Sequence, residues 1–328
     1  MNPLEIEYFQ QNNISFVQTI ANGGYGVIFL VYSKQYSTHF ALKKIPEDNY
    51  KEAEIQCLTA IDNPRIVRLY QYYRLNSYVY LLMEYCPNDL TRLLKLHPNL
   101  SQETILKYTY DMIAAVYACH KQNIAHCDIK PSNFLIDKYG RLKIGDFGLS
   151  LLYQNFDPIL AKLWQGTKIF MSPEILRKEA YNPMISDIWS LGCSIYYLVT
   201  GEFPFQTKDT KLLLHIAESK QYNIENIDDP RFRYIISHCL EPDPLKRISI
   251  IDLLELDIFN QFNEIYNNTY SNLNQINTKS GHIIFKPKLK YRKSMFSVQS
   301  NFSMNTLNPM RLHLSKLSSQ STERIQVL

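Results

Sequence analysis

A glycine-rich turn joins two short, β-rich runs near the amino terminus and could bind phosphate groups. The segment reads Ile20-Ala-Asn-Gly-Gly-Tyr-Gly-Val-Ile28, and its glycines would let backbone N–H groups approach a phosphate closely. Turns of this composition also close simple hairpins. Taken alone, the segment leaves both interpretations open.

A lysine lies fifteen residues after Ile28, at the end of the apolar run Phe40-Ala-Leu-Lys43. A lysine in this place is often only a charge at the edge of a strand. Glu54 falls on a helix predicted over 50–61, where it would usually be a solvated residue. It also offers the acid that a functional lysine would need, so the two residues are candidates for a charge pair.

The most informative stretch is Ile124-Ala-His-Cys-Asp128-Ile-Lys130-Pro-Ser-Asn133-Phe-Leu, followed thirteen residues after Asn133 by Asp146-Phe147-Gly148. These residues resemble the catalytic loop and the Asp-Phe-Gly element of eukaryotic protein kinases. The glycine-rich turn and Lys43 precede them in the order and at the spacing of that family. The resemblance runs over residues 14–259.

The resemblance implies an ATP-dependent protein serine/threonine kinase that uses Mg2+. Asp128 would orient the acceptor hydroxyl and accept its proton, and Asn133 and Asp146 would bind magnesium. Lys130 would lie near the transferred phosphate and favours Ser or Thr acceptors over Tyr. Phosphoryl transfer spreads negative charge over oxygens, so its catalysis depends mainly on positioning and on cations.

The same resemblance implies an ATP cleft between two lobes. Gly23 and Gly26 would cover the phosphates, while Lys43 would hold them and be fixed by Glu54. Backbone groups of Glu84 and Cys86 would hydrogen-bond adenine. The residues assigned to ATP are Ile20, Ala21, Gly23, Gly24, Gly26, Ile28, Ala41, Lys43, Glu54, Glu84, Cys86, Asp89 and Leu135.

A further set is expected to hold the cleft together. Its members are Phe147, Gly148, Glu174, Asp187 and Arg247, with Glu174 paired to Arg247 and Asp187 anchoring the catalytic loop. Leu58, Leu69, His126 and Phe147 would stack into an apolar column that aligns the lobes. For these residues the structural role is the expected one.

Two departures from the family pattern affect the expectations. Ala21 stands where the first glycine of the turn belongs, so nucleotide affinity should fall modestly. Cys127 replaces the arginine that pairs with a phosphate on the activation loop of phosphorylation-switched kinases. Residues 151–166 contain no Ser or Thr, and Tyr153 is their only hydroxyl. Activity should therefore not require phosphorylation of this loop.

The chain that must position these residues changes character along its length. Runs at 15–20, 27–32, 39–45, 67–74 and 79–84 predict strands, while helical periodicity marks 50–61, 101–120 and 185–200. This order predicts an α+β, bilobal protein kinase fold: a small five-stranded antiparallel sheet with one major helix, then a larger, mainly helical lobe.

Composition bears on the redox state of the cysteines, the cellular compartment and the partners of the protein. The six cysteines are scattered singly and no apolar run reaches membrane-spanning length, so we expect reduced thiols and an intracellular protein, in the cytoplasm or nucleus. Cys119-His120 and His126-Cys127 offer an alternative four-ligand metal site. We expect a monomer that binds protein substrates with Ser or Thr acceptors, and no nucleic acid on the folded domain.

The domain boundaries follow from the resemblance and from composition. We expect an extension at 1–13, a kinase domain at 14–259 (amino-terminal lobe 14–83, hinge 84–89, carboxy-terminal lobe 90–259) and a disordered tail at 260–328. The tail is Asn/Ser-rich and carries a net charge of +7. Ser294 beside its basic run could be a regulatory site, but the favoured interpretation is a solvated charge run in a disordered arm. A pseudokinase scaffold is the alternative function.

Overall fold

The computed structural model describes residues 1–23, 26–153, 161–162 and 164–263. Gly24, the tail residues 264–328 and Ser294 lie outside the described residues. Strands β1 (Ile14–Gly23), β2 (Gly26–Ser33), β3 (Thr38–Pro46), β4 (Leu69–Leu75) and β5 (Tyr78–Glu84) form one sheet in the order β1-β2-β3-β5-β4. All four pairings are antiparallel, as the alternating sequence pattern predicts.

Helix α2 (Glu52–Ala60) and the apolar residues Leu58 and Leu69 belong to the cluster that fills the inner side of this sheet. The residues that follow are mainly helical: α3 (Leu90–Leu96), α4 (Gln102–His120), α5 (Pro173–Leu176), α6 (Pro183–Thr200), α7 (Thr210–Glu218), α8 (Pro230–Cys239) and α9 (Ile250–Leu254). The bilobal α+β architecture predicted from the sequence is therefore confirmed.

Short paired strands flank the loops that lie between the helices. A three-stranded sheet has the order β6-β8-β9, formed by β6 (Asn88–Asp89), β8 (Phe134–Ile136) and β9 (Leu142–Ile144). A two-stranded sheet pairs β7 (Ile124–Ala125) with β10 (Leu151–Leu152). These strands bring the segment around Asp128 next to the segment around Asp146.

Helix α6 is the buried helix of the larger lobe, and its ends are encoded locally. The side chain of Asn182 accepts hydrogen bonds from the first turn, Pro183 occupies the first helical position and Gly201 ends the helix in the left-handed conformation. Most residues between these ends are buried, including Asp187 and Trp189.

The amino-terminal extension contains a helix that the sequence interpretation missed. Helix α1 (Pro3–Gln11) begins with a capping box between Asn2 and Glu5. Phe9 packs edge-to-face on Tyr73 and Tyr80, with ring centroids 5.2 and 5.0 Å apart. The lobe therefore has a second helix, on the outer face of the sheet, and the expectation of one major helix is incomplete.

A buried ion pair joins α1 to strand β3. The carboxylate of Glu5 is buried and lies 2.6 Å from Lys44 Nζ, which also lies over the ring of Tyr78. Burial opposes ionisation of Glu5, but the hydrogen bond and charge of Lys44, together with the backbone hydrogen bond from Asn2, outweigh burial and lower the pKa of Glu5. Lys44 is the neighbour of Lys43, so α1 supports the strand that carries the predicted ATP lysine.

We expect Phe9→Leu to lower the free energy of unfolding by about 1–3 kcal/mol, because it removes several edge-to-face aromatic contacts. Phe9 is 1% exposed, whereas Leu4 on the same helix is 67% exposed. Leu4→Ala is therefore the matched control and should change stability by no more than about 0.5 kcal/mol. Urea unfolding measures both, and equal effects of the two changes would contradict the docking of α1.

The described residues contain no helix that is both long and apolar enough to cross a membrane. Beyond Phe259, residues 260–263 continue the packed structure: Phe262 stacks on Tyr110, and Asn263 Oδ1 accepts a hydrogen bond from the Tyr110 hydroxyl. These four residues had been assigned to the tail, so ordered packing extends past the boundary drawn from composition.

Candidate active site

A cleft of about 750 Å³ lies where the five-stranded sheet meets the helical residues. It brings together residues that are far apart along the chain. Of the residues assigned to ATP, the structure places twelve on the lining: Ile20, Ala21, Gly23, Gly26, Ile28, Ala41, Lys43, Glu54, Glu84, Cys86, Asp89 and Leu135. Asn133 and Asp146 line it as well.

The ends of β1 and β2 that flank the glycine-rich turn line the cleft through Gly23 and Gly26. Gly26 has a φ of +133°, and a Cβ atom there would lie 2.2 Å from the Lys44 carbonyl oxygen, so only glycine fits. Ala21 is exposed and pairs with Ile28 across the two strands. The turn thus keeps the glycine that its backbone requires, while Ala21 stands in an open position.

Lys43 is the charged centre of the cleft. Its Nζ lies 2.7 Å from Glu54 Oε1 and 2.8 Å from Asp146 Oδ1, and the ammonium and Glu54 are buried. Burial by itself would lower the pKa of Lys43, but the charges of Glu54 and Asp146 raise it above the ordinary value. Strand alternation explains the placement, because Ala41 and Lys43 share the inner face of β3.

Asp146 carries the second charge of this network. Burial opposes its ionisation, but the charge of Lys43 and its hydrogen bond outweigh burial and lower the pKa of Asp146. Its backbone is left-handed, with φ of 63°. Gly148 lies beside the trio, since a Cβ at that position would be 3.6 Å from Asp146 Oδ1 and 3.8 Å from Lys43 Nζ.

The connection after β5 forms one wall of the cleft. Glu84 N donates to the Arg68 carbonyl oxygen at 2.8 Å, which fixes the end of the strand. The amide of Cys86 has no hydrogen-bond partner among the described residues, so a donor is available on the lining. Asp89 caps helix α3 by accepting from Arg92 N at 2.9 Å, in addition to lining the cleft.

Asp128 accepts hydrogen bonds through both of its carboxylate oxygens. Lys130 Nζ lies 2.6 Å from Oδ2, and Asn133 Nδ2 donates to Oδ2 at 3.2 Å and to the Asp128 carbonyl at 2.8 Å. Oδ1 accepts from the backbone N–H and the hydroxyl of Thr167, at 3.3 and 3.2 Å. Lys130 and Asn133, the other two residues predicted to be catalytic, therefore both contact Asp128.

Thr167 is a functional candidate whose contacts the sequence did not reveal. Its hydroxyl also accepts from Lys130 Nζ at 3.1 Å, so it touches two of the predicted catalytic side chains. Gly166, with φ of +111°, lets the chain turn toward Asp128, because a Cβ there would crowd the Cys127 carbonyl at 3.0 Å. The only sequence signal was that Thr167 directly follows the loop 151–166.

Asp187 anchors the loop that carries Asp128. Its carboxylate accepts from His126 N at 2.8 Å and from Cys127 N at 2.9 Å. His120 Nε2 lies 3.0 Å from the same carboxylate, a contact that sequence reasoning missed. Cys127 is left-handed with φ of 63°, and burial followed by the nearby charge of Asp187 raises the pKa of its thiol.

The residues expected to form the apolar column are enclosed, and two of their rings are in contact. Leu58, Leu69, His126 and Phe147 are all buried, and the rings of His126 and Phe147 have centroids 5.0 Å apart. His126 Nε2 also lies 3.0 Å from the Gly145 carbonyl oxygen, which fixes the histidine beside the Asp-Phe-Gly element.

Glu174 and Arg247 form a buried ion pair with two hydrogen bonds, at 2.8 and 3.0 Å. Ser186 donates a further hydrogen bond to Glu174. Burial opposes ionisation of Glu174, but the hydrogen bonds and charge of Arg247 outweigh it and lower the pKa of Glu174. The pair ties α5 to the loop that precedes α9.

The donor set fits a magnesium ion. Asp146 Oδ1 pairs with Lys43, and Asn133 directs its Nδ2 at Asp128. Asp146 Oδ2 and Asn133 Oδ1 have no hydrogen-bond partner among the described residues. Carboxylate and amide oxygens are ligands that Mg2+ prefers, with waters and phosphates completing its shell. Asp146 and Asn133 are thus suited to hold the ion together with a nucleotide.

The alternative metal site is not formed. His120 contacts Asp187 and His126 contacts the Gly145 carbonyl, so neither imidazole turns toward a shared centre with Cys119 and Cys127. Over the ranges that the structure describes, no group of three or more His, Cys, Asp and Glu side chains could hold a metal ion. The six cysteines are all free.

Comparison with known proteins agrees with this geometry. The family model for the protein kinase domain matches residues 14–259. Serine/threonine-protein kinase RUNKEL of Arabidopsis thaliana is 29% identical over 246 residues, which cover 74% of this chain and 18% of that protein. CBL-interacting protein kinase 33 of Oryza sativa subsp. japonica is 28% identical over 72% of this chain and 54% of that protein.

A third relative, CBL-interacting serine/threonine-protein kinase 8 of Arabidopsis thaliana, is 32% identical over 61% of this chain and 45% of its own length. The chain therefore spans about half, or less, of the curated relatives that it matches. Because the family model covers most of the chain and its motifs meet in one cleft, the chain belongs to the eukaryotic protein kinase family.

Proposed function

We propose that this protein is an ATP-dependent protein serine/threonine kinase, which transfers the γ-phosphate of ATP to Ser or Thr hydroxyls of protein substrates. The observation that carries the proposal is the convergence of Lys43, Asp146, Asn133 and Asp128. Lys43 contacts Asp146 directly, and Asn133 lines the same cleft while donating to Asp128. Phosphate-binding groups and a proton acceptor are thus adjacent.

Each of these residues has a chemical task that its contacts support. Lys43, held by Glu54, would bind phosphate oxygens and offset their charge. Asp128 would orient the acceptor hydroxyl and take its proton, and Lys130, 2.6 Å from that carboxylate, would place a cation beside the transferred group. Magnesium bound by Asp146 and Asn133 would neutralise charge on the phosphates.

Preference for Ser and Thr acceptors is supported by Lys130 and by the names of the relatives. Lys130 contacts Thr167 as well as Asp128. Both Lys130 and Thr167 therefore border the space beside the proposed proton acceptor, Asp128. Two of the three relatives are named as serine/threonine kinases. We assign the catalytic domain to residues 14–259.

The test is transfer of labelled phosphate from Mg-ATP to a degenerate peptide library that contains Ser, Thr or Tyr as the acceptor. Lys43→Met, which removes the phosphate-binding cation, is the control. We expect labelled Ser and Thr peptides with the wild-type chain and none with the control. Nucleotide binding without transfer to any peptide or to the chain itself would indicate a pseudokinase scaffold instead.

We also expect turnover to be independent of phosphorylation within 151–166. Cys127 supplies no cation for a phosphate, and hydrogen bonds to backbone carbonyls hold the carboxy-terminal part of the segment: Ala161 and Tyr181 exchange backbone hydrogen bonds of 2.8 and 3.1 Å, and Gln165 donates to the Leu149 carbonyl. Treatment with a protein phosphatase should leave turnover unchanged, as should Tyr153→Phe. Loss of activity that maps to Tyr153 phosphorylation would refute the expectation.

A further inference from the structure

A buried lysine that has no part in the proposed chemistry lies behind the cleft. Lys143 is the central residue of β9 and is 5% exposed. Its Nζ donates to the Pro64 carbonyl oxygen at 2.7 Å and lies 3.0 Å from Glu84 Oε2. A buried ammonium group is costly unless it is paired and hydrogen-bonded, so both partners must be held in place.

Lys143 joins three segments that each contribute to the cleft. Glu84 ends β5 and begins the wall that contains the free amide of Cys86. Pro64 lies in the loop that follows α2, the helix that carries Glu54. Strand β9 itself leads through Gly145 to Asp146. One ammonium group therefore connects the proposed adenine end of the cleft to the end that carries the metal ligands.

Backbone pairing makes this connection stiff. The Val67 N–H donates to the Ile144 carbonyl at 2.9 Å, and the Ile144 N–H donates to the Arg65 carbonyl at 2.8 Å. On its other edge β9 pairs with β8, where Leu135 on the cleft floor lies opposite Lys143. The strand thus has little freedom to shift, and the position of Lys143 can set that of Glu84.

Glu84 depends on Lys143 more than Lys143 depends on Glu84. Within the described part of the chain, the Glu84 carboxylate has, apart from Lys143, only one long hydrogen bond, 3.4 Å, from Arg68 N. Its side chain is largely buried, so losing the ammonium would leave a poorly solvated charge at the end of β5. The carboxylate would then turn toward water and take the following wall residues with it.

We propose that Lys143 is a positioning residue for nucleotide binding, which acts through Glu84 to hold the wall of the cleft at the adenine end in register with Asp146. The proposal rests on the proposed function, because it assumes that the cleft binds a nucleotide. It differs from a purely stabilising role, in which Lys143 would raise the fraction of folded protein without changing the affinity of the folded protein.

The experiment measures the dissociation constant of Mg-ADP and Mg-ATP by calorimetry for the wild-type chain, Lys143→Met, Glu84→Ala and the double variant. Loss of one charged hydrogen bond corresponds to about tenfold in an equilibrium constant, so each single change should weaken binding by about tenfold. The double variant should bind about as well as either single one, because both changes break the same link. Lys208→Met, an exposed lysine, is the matched control and should bind like wild type.

Steady-state kinetics supplies the second readout. Lys143→Met should raise the KM for ATP and leave the KM for the peptide acceptor unchanged. If the variant melts at a lower temperature and binds with fewer sites per chain but with wild-type affinity, Lys143 is only structural and the proposal is wrong. Independent, multiplicative effects of the two single changes would overturn it as well.

The two proposals fail in different ways. A wild-type chain that binds Mg-ATP but transfers no phosphate refutes the kinase activity, while the affinities still decide the role of Lys143. A wild-type chain that transfers phosphate, with unchanged affinity in Lys143→Met, refutes only the positioning role. A wild-type chain that binds no nucleotide refutes both.

Discussion

Asp128→Asn is expected to lower the turnover of phosphate transfer by about 10²–10⁴-fold, the range that a positioned general base contributes. The substitution keeps the shape of the side chain but removes its ability to accept a proton. It also turns an acceptor into a donor where Lys130, Asn133 and Thr167 all direct donors at the carboxylate. One of these hydrogen bonds must therefore be lost.

The loss should fall on turnover and not on nucleotide binding. Asp128 does not line the cleft that holds the proposed ATP residues, so Mg-ATP should bind to Asp128→Asn with nearly wild-type affinity. Asp62→Asn, on an exposed loop residue, is the control and should retain turnover. Wild-type turnover in Asp128→Asn would remove Asp128 from the proposed mechanism.

Much of the fold could be predicted because local sequence patterns indicate its strands and helices. The alternation of apolar residues in β1 to β5 and the helical periodicity of α2, α4 and α6 depend only on neighbours along the chain. The end signals of α6, with Asn182 before it and Gly201 after it, are equally local. The site residues were found differently, through a family resemblance that carries long-range information.

A short helix and two contacts between distant residues were the features missed. Helix α1 has a readable start in its capping box, but its nine residues show only two buried side chains, too few for a periodic pattern. The contacts of His120 with Asp187 and of Lys143 with Glu84 join residues 67 and 59 positions apart. Nothing in the local sequence around a lysine or a histidine indicates a partner at such a distance, so these roles required coordinates.

Arg247→Met should destabilise the fold by about 3–5 kcal/mol, because it leaves the buried Glu174 carboxylate without its cation. Arg247 is completely enclosed and also donates to the carbonyl oxygens of Glu241 and Ile185, which would lose their partner. Lys246→Met is the matched control: its side chain is 76% exposed and its ion pair with Asp243 should contribute less than about 1 kcal/mol. Chemical unfolding measures both.

A double variant separates the charge from the packing. In Arg247→Met with Glu174→Gln, no buried charge remains, so the double variant should be more stable than Arg247→Met alone. If the double variant is less stable than Arg247→Met by the full cost of Glu174→Gln, the two side chains act independently and the ion pair is not the source of the effect.

The pH dependence of the free energy of unfolding tests the role of the Glu174 charge independently. In the wild-type chain the pKa of Glu174 is lowered from its ordinary value of 4.5, so the stabilisation is present above pH 4.5 and is lost as the pH falls through the lower, folded value. In Arg247→Met, burial without the cation raises the pKa of Glu174, and protonation then relieves the buried charge. The stability difference between the two proteins should therefore be largest at neutral pH, should begin to shrink as the pH falls through the raised pKa of the variant, and should shrink further below pH 4.5. A difference that stays constant, or grows, on acidification would show that Arg247 stabilises the fold by packing and not through the charge of Glu174.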